Sequence, residues 1–225
     1  MCGRFTLTSS PRSLESRFDL DETPELSPRF NVAPGQMVAT VTASSTGPTN
    51  SLTMRRWGLI PSWAKDPKIG SRMINARAET VAEKPSFRRA FRKRRCLVPA
   101  DGFYEWAAAG SGPKQPYHVA RADRAVLAFA GLWEHWAGAD GDVIESCTLI
   151  TTEANAAMKA IHARMPVILD PGDFGLWLDP AIDDAVRLGG LLQPLPDDAL
   201  AMHPVSRRVN RPEFDDPSCI APVEG

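Results

Sequence analysis

Arg95-Cys96-Leu97-Val98-Pro99-Ala100-Asp101-Gly102-Phe103-Tyr104-Glu105-Trp106 holds two short apolar runs, 95–99 and 103–106, separated by turn residues. Each run has strand length, and the β-branched and aromatic side chains within them suit a pleated surface. The same pattern recurs on both sides, at 2–7, 38–43, 51–57, 116–119, 125–133, 143–151, 165–169 and 200–205. Many short strands joined by turns imply a sandwich or a barrel. Helical signals are fewer. One helix begins at Pro11 behind Ser10, one covers 87–93, one runs over 153–161, and two follow Asp173 and Asp179, the second with Pro180 at its first position. Strands and helices do not alternate regularly, which indicates an α+β fold rather than a doubly wound parallel sheet. The Ser/Gly-rich pieces at 44–50 and 107–112 have hairpin length, and the twenty prolines are scattered rather than gathered into a linker. Residues 1–225 read as a single domain.

A chain of 225 residues with 43% hydrophobic and 24% charged side chains buries an ample core without disulfides or metals. Cys2, Cys96, Cys147 and Cys219 are widely separated, with no paired spacing that suggests zinc, and read as reduced thiols. The longest apolar stretch, 125–133, is too short to span a bilayer, and no signal-peptide core opens the chain. A reducing compartment, cytoplasmic or nuclear, is expected. The formal charge of -1 hides a segregation: residues 51–100 carry 13 of the 26 Lys and Arg but 3 of the 27 Asp and Glu, a net +10. Such a window presents either one basic face to a polyanion, with nucleic acid the first candidate, or a solvated helix paired with the acidic half of the chain.

Cys2 stands directly behind the initiator methionine. Removal of Met1 would leave a terminal cysteine with two nucleophiles on adjacent carbons: an α-amine of pKa about 7.7–8.0 and a thiol of pKa about 8.5. The amine condenses with an aldehyde, the thiol attacks the resulting imine, and a five-membered thiazolidine closes. No internal residue offers that pair. The competing reading is a small apolar side chain opening a strand.

Four further places carry chemistry. In an extended stretch Asn75 and Arg77 share a face, an amide beside a phosphate-gripping guanidinium, unless they merely serve a turn and the surface. Glu105, between Tyr104 and Trp106, is either desolvated and suited to proton transfer near neutrality or points to water from an edge strand. His162, ahead of Arg164 and Pro166, sits at a helix-to-strand corner where function and simple structure are both common. Trp57 is expected in the core, and Trp63 nearer the surface, where it could stack an unpaired base.

The joint order of Met1-Cys2-Gly3-Arg4-Phe5, Arg29-Phe30-Asn31-Val32-Ala33-Pro34-Gly35, Trp57-Gly58-Leu59-Ile60-Pro61, Asn75-Ala76-Arg77-Ala78-Glu79-Thr80, Cys96-Leu97-Val98-Pro99 with Gly102-Phe103-Tyr104-Glu105-Trp106, His162-Ala163-Arg164-Met165-Pro166 and His203-Pro204-Val205-Ser206 resembles the SOS response-associated peptidase (SRAP) family of abasic-site processing proteins. The resemblance covers nearly the whole chain. It implies a barrel-like core of antiparallel strands with peripheral helices, and Cys2 exposed in a positively charged groove that accepts single-stranded DNA. It further implies Cys2 as nucleophile, Asn75 orienting the reacting sugar, Glu105 as acid/base and His162 assisting ring opening. Arg4, Arg77 and Arg164 match phosphate-contacting positions, and Trp63 falls where the strand is held open. The implied partner is single-stranded DNA containing abasic sites, bound by a monomer without metal or organic cofactor, in the cytoplasm and on the nucleoid when DNA is bound. Two other readings stay open: an N-terminal-nucleophile cysteine peptidase that processes itself, and a non-catalytic single-stranded DNA binding module.

Overall fold

The computed structural model describes residues 2–44, 47–110 and 112–223. Met1, Ser45, Thr46, Ser111, Glu224 and Gly225 lie outside the described residues. The strands are β1 (Phe5–Leu7), β2 (Arg29–Val32), β3 (Met37–Ala43), β4 (Asn50–Trp57), β5 (Asn75–Arg77), β6 (Arg95–Ala100), β7 (Gly102–Ala109), β8 (Gly112–Arg121), β9 (Leu127–Ala137), β10 (Val143–Glu153), β11 (Arg164–Pro166) and β12 (Leu200–Pro204). The helices are α1 (Pro11–Phe18), α2 (Arg88–Lys93), α3 (Ala156–Lys159), α4 (Pro171–Leu178) and α5 (Ala185–Gly189).

One sheet runs β10-β4-β3-β6-β9 and closes where β9 pairs with β10, making a five-stranded barrel. The second sheet runs β12-β8-β7-β1-β2. The fold is therefore α+β around a barrel, with one departure from an all-antiparallel core: β10 runs parallel to both β4 and β5. Strand β10 is the hub, because it also pairs antiparallel with β11. The aromatic side chains of the two sheets meet between them, with Phe5 5.2 Å from Trp57 and both Phe5 and Phe103 6.0 Å from Phe129. Burial of such rings is the main term stabilising the sheet-to-sheet contact.

Several expected boundaries move. The third helix shrinks to Ala156–Lys159, because Glu153 still belongs to β10 and Asn155 caps the helix by accepting from the Met158 N–H. The fourth begins at Pro171 rather than after Asp173, and Pro180 starts no helix. The fifth begins at Ala185, where Asp184 accepts from the N–H groups of Val186 and Arg187. Both prolines fit a first helical turn, and tertiary packing selects between them. Strand β2 answers no sequence expectation, since its run 29–32 is too short and polar to stand out.

A close glycine contact positions β5. Gly58 has φ +131°, and a Cβ on it would lie 2.7 Å from the Gly70 carbonyl oxygen, while one on Gly70 would lie 2.6 Å from the Gly58 oxygen. Only two glycines allow the chain after β4 to pass this close to the segment leading into β5. The Trp57 indole then donates to the Ile74 carbonyl at 2.9 Å, immediately before Asn75. Trp57 is buried, as its sequence context suggested.

His118 pairs with His203 across β8 and β12 and is buried beneath Tyr104. Burial, reinforced by His203 and opposed by Asp101, lowers its pKa from 6.5 to about 4. The folded protein thus favours neutral His118, and this contribution is complete above about pH 6.5 and lost as pH falls toward 4. Its size is on the order of 3 kcal/mol. Urea midpoints at pH 7 and pH 4.5 should differ in the parent and converge in His118→Gln; equal differences in both proteins would refute this assignment.

Candidate active site at the N-terminal cysteine

The segment Cys2-Gly3-Arg4 leads into β1 alongside β7. Phe5 faces Phe103 in register, and the Tyr104 N–H donates to the Arg4 carbonyl at 3.0 Å. Side chains alternate along β7, and Phe103 packs into the main core, so Glu105 points to the same, barrel-facing side. It is 2% exposed on a strand flanked by β1 and β8, which excludes the edge-strand reading. Burial raises the Glu105 pKa, and nearby His162 works against that rise.

From the barrel side, Asn75 Nδ2 donates to the Cys2 carbonyl at 2.8 Å. Its Oδ1 is buried and has no hydrogen-bond partner among the described residues. Alternation within β5 places Asn75 and Arg77 on one face, with Ala76 buried on the other, as the extended reading required. His162 lies in the turn between α3 and β11, half-buried, and its Nδ1 accepts from the Arg164 N–H at 3.0 Å. The fold thus gathers Cys2, Asn75, Glu105 and His162 from four separate segments into one seam between the two sheets.

Cys2 itself is 0% exposed, which corrects the expected exposed cysteine. Its carbonyl is anchored by Asn75, and its side chain lies in the seam beside buried Glu105. Burial, and then the Glu105 charge, push the thiol pKa well above its ordinary value, so in this state the sulfur is a protonated thiol. Cys96, Cys147 and Cys219 are likewise buried and unpaired.

The basic window does not form one face. Arg55 and Arg95 are buried: Arg55 lies 3.1 Å from Glu145, and Arg95 donates to the carbonyls of Phe91, Trp177 and Ile182. Arg94 pairs with Glu134. Arg88, Arg89, Arg92 and Lys93 are exposed and line, with Asp183, a groove of about 360 Å³. Arg77 is exposed, and so is Trp63 at 58%. Arg164 is held by Glu79, whereas Arg4 Nη1 donates to Asn31 Oδ1 at 2.9 Å and to the Val209 carbonyl at 2.6 Å.

Asn31 was not a candidate, yet it anchors the strap behind the site. It is 0% exposed, and its Nδ2 lies 3.1 Å from the Val209 and Arg211 carbonyls and 2.8 Å from that of Phe214. Asp215 completes the anchor by accepting from the backbone N–H groups of Phe30 and Asn31. These partners lie 178 to 184 residues from Asn31, and no local signal announces them. Asn31→Ala leaves the carbonyls and Arg4 short of partners and should cost about 3 kcal/mol in urea unfolding; a loss below a few tenths would contradict the anchoring role.

A barrel-centred α+β domain in which a cysteine just ahead of the first strand meets an amide, a buried carboxyl and an imidazole defines a class of proteins with a candidate site in the seam between two facing sheets. The SOS response associated peptidase (SRAP) profile matches residues 1–212, and the chain belongs to this family. It is 44% identical over 223 residues to "Abasic site processing protein YoqW" of Bacillus subtilis (strain 168), covering 98% of this chain and 99% of that protein. It is also 37% identical over 194 residues to "Abasic site processing protein HMCES" of Gallus gallus, covering 75% of this chain and 56% of that one. A crystal structure of a Bacteroides thetaiotaomicron protein superposes with a TM-score of 0.89 at 25% identity, over 99% of this chain and all of the other. Among the described residues, no helix is long and apolar enough to cross a membrane.

Proposed function

We propose that this protein senses and processes abasic sites in single-stranded DNA by capturing them covalently on Cys2 after Met1 is removed. The observation that carries the reading is the seating of Cys2, with its carbonyl held by Asn75 and its thiol beside buried Glu105. The names of the similar abasic-site processing proteins support the same substrate.

An abasic deoxyribose interconverts between a closed hemiacetal and an open aldehyde. His162 assists the opening by moving a proton at the ring oxygen, and Asn75 orients the sugar with its amide. The α-amine of Cys2 adds to the aldehyde carbon and one water leaves, forming an imine. The thiol sulfur then bonds to the imine carbon while the thiol proton is passed to nitrogen through Glu105, closing the thiazolidine. The same steps in reverse, with water added back, release the protein and the aldehyde. Arg77 holds a phosphate, Arg4 and Arg164 add positive charge beside it while their guanidiniums stay bonded inside the protein, and exposed Trp63 stacks on a splayed base. The reaction is lyase-like in its covalent chemistry, and hydrolytic removal of Met1 is the only peptide cleavage it needs. No metal or organic cofactor takes part, and a monomer suffices.

The test is a denaturing gel after mixing the protein with abasic or undamaged single-stranded oligonucleotide, run beside a peptide-cleavage assay. A heat-stable shifted band with abasic DNA alone is expected. Peptide cleavage without the band would favour the peptidase, and salt-sensitive binding without either would leave a binding module. Non-covalent binding by Cys2→Ala should favour single strands over duplex and weaken about a hundredfold between 50 and 200 mM salt; salt-independent affinity would argue against an electrostatic groove.

A further inference from the structure

We infer that Glu79 is a positioning residue of this site: its carboxylate clamps Arg164, and through Arg164 it sets the His162 imidazole against Glu105. The inference rests on the proposed crosslinking reaction for its kinetic consequence, while the clamp itself rests on geometry. Glu79 lies in the short 3-10 helix Ala78–Thr80, directly after the β5 strand that carries Asn75. Its Oε1 accepts from Arg164 Nη1 at 2.8 Å and its Oε2 from Nη2 at 3.0 Å, the parallel two-bond arrangement that fixes a guanidinium in orientation as well as position. Arg164 Nη2 also donates to the Thr151 carbonyl at 2.5 Å.

Across the β10–β11 ladder the residue facing Arg164 is Glu153, yet the guanidinium turns to Glu79 instead. The chosen partner therefore belongs to the Asn75 segment. Arg164 is joined to His162 by its own backbone, whose N–H donates to His162 Nδ1 at 3.0 Å. The Arg164 carbonyl oxygen also lies 3.1 Å from Nδ1, so the Arg164 backbone flanks this nitrogen with both its N–H and its C=O and fixes the plane of the imidazole. A carboxylate on one segment thus holds the turn carrying the imidazole, and ties it to the strand carrying the amide. Removing the carboxylate leaves the Arg164 guanidinium held by Thr151 alone and loosens the 162–164 turn, while Asn75, Glu105 and Cys2 keep their own contacts.

Glu79→Ala and Glu79→Gln should be compared with the parent on abasic single-stranded DNA. At saturating DNA, Glu79→Ala should crosslink about tenfold more slowly with an unchanged half-saturating concentration. The defect should shrink on an oligonucleotide bearing a pre-opened aldehyde. Glu79→Gln, which keeps one acceptor for Arg164, should fall between the two. Long-range proton–nitrogen spectra of the imidazole should show one dominant tautomer in the parent and a mixture in Glu79→Ala. Parental rates and parental imidazole spectra in both variants would overturn the inference. So would tighter DNA binding by Glu79→Ala with a salt slope steeper by about one, which would mean that Glu79 withholds Arg164 from a phosphate. If the parent makes no adduct, the proposed reaction fails, and the imidazole spectra still decide the clamp.

Discussion

Cys2→Ser is expected to bind abasic single-stranded DNA with near-parental affinity and to give less than about a hundredth of the parental heat-stable adduct. Serine keeps the α-amine and the size of the side chain, so the imine still forms. Its oxygen is a far poorer nucleophile than sulfur, and the imine hydrolyses before a ring closes. A chain that retains Met1 should fail equally, because its first amine is too far from the thiol to close a five-membered ring. In that state the thiol should also resist alkylation, being buried and held protonated by burial and by Glu105. Iodoacetamide labelling of native and denatured protein measures the difference. An adduct of normal yield from either variant, mapped by mass spectrometry to another residue, would remove Cys2 from its role.

Glu105→Gln should slow both crosslinking and reversal about a hundredfold without unfolding the protein, since the amide keeps the shape but exchanges no proton. The pH dependence carries the sign. Burial raises the Glu105 pKa above the ordinary glutamate value, so the protonated acid persists to higher pH than an exposed glutamate would allow. Steps that need the acid should slow as pH rises through that raised value, and the slope should vanish in the variant. The His162 charge opposes this shift, and the Cys2 thiol is the neighbour whose own pKa the Glu105 charge helps to raise. Losing the carboxylate charge also removes one of the influences raising the Cys2 pKa, which favours thiolate and works against the defect. A parental rate in Glu105→Gln across neutral pH would sink the assignment. His162→Ala should hurt ring opening more than closure, and its defect should shrink on a pre-opened aldehyde.

Much of the architecture was legible because strands announce themselves locally. The runs at 38–43, 95–99 and 143–151 alternate or fill with β-branched side chains, and each lies within an observed strand. The strand runs left sandwich and barrel both open, and the family resemblance implied the barrel that the structure shows. Which strands close it was not legible, because the pairing of β9 with β10 in a ring that also includes a parallel β4 depends on register between distant segments. Helix starts were misplaced at Pro180 for a related reason: proline permits a first turn, and only the packing of Phe174, Trp177 and Leu178 decides which proline opens one.

The amino-acid sequence alone determined the chemistry available: a cysteine behind a removable methionine, an amide two residues from an arginine, a carboxylate between aromatic rings and a histidine at a corner. These are properties of covalent order and side-chain type, and they survive in any fold. Tertiary structure decided that the cysteine is buried rather than exposed, and that Arg95 and Arg55 serve the interior instead of a basic face. It also decided that Asn31 and Glu79 hold partners far along the chain. Burial and long-range hydrogen bonding depend on which surfaces two sheets bring together, and that choice is made by the whole core at once.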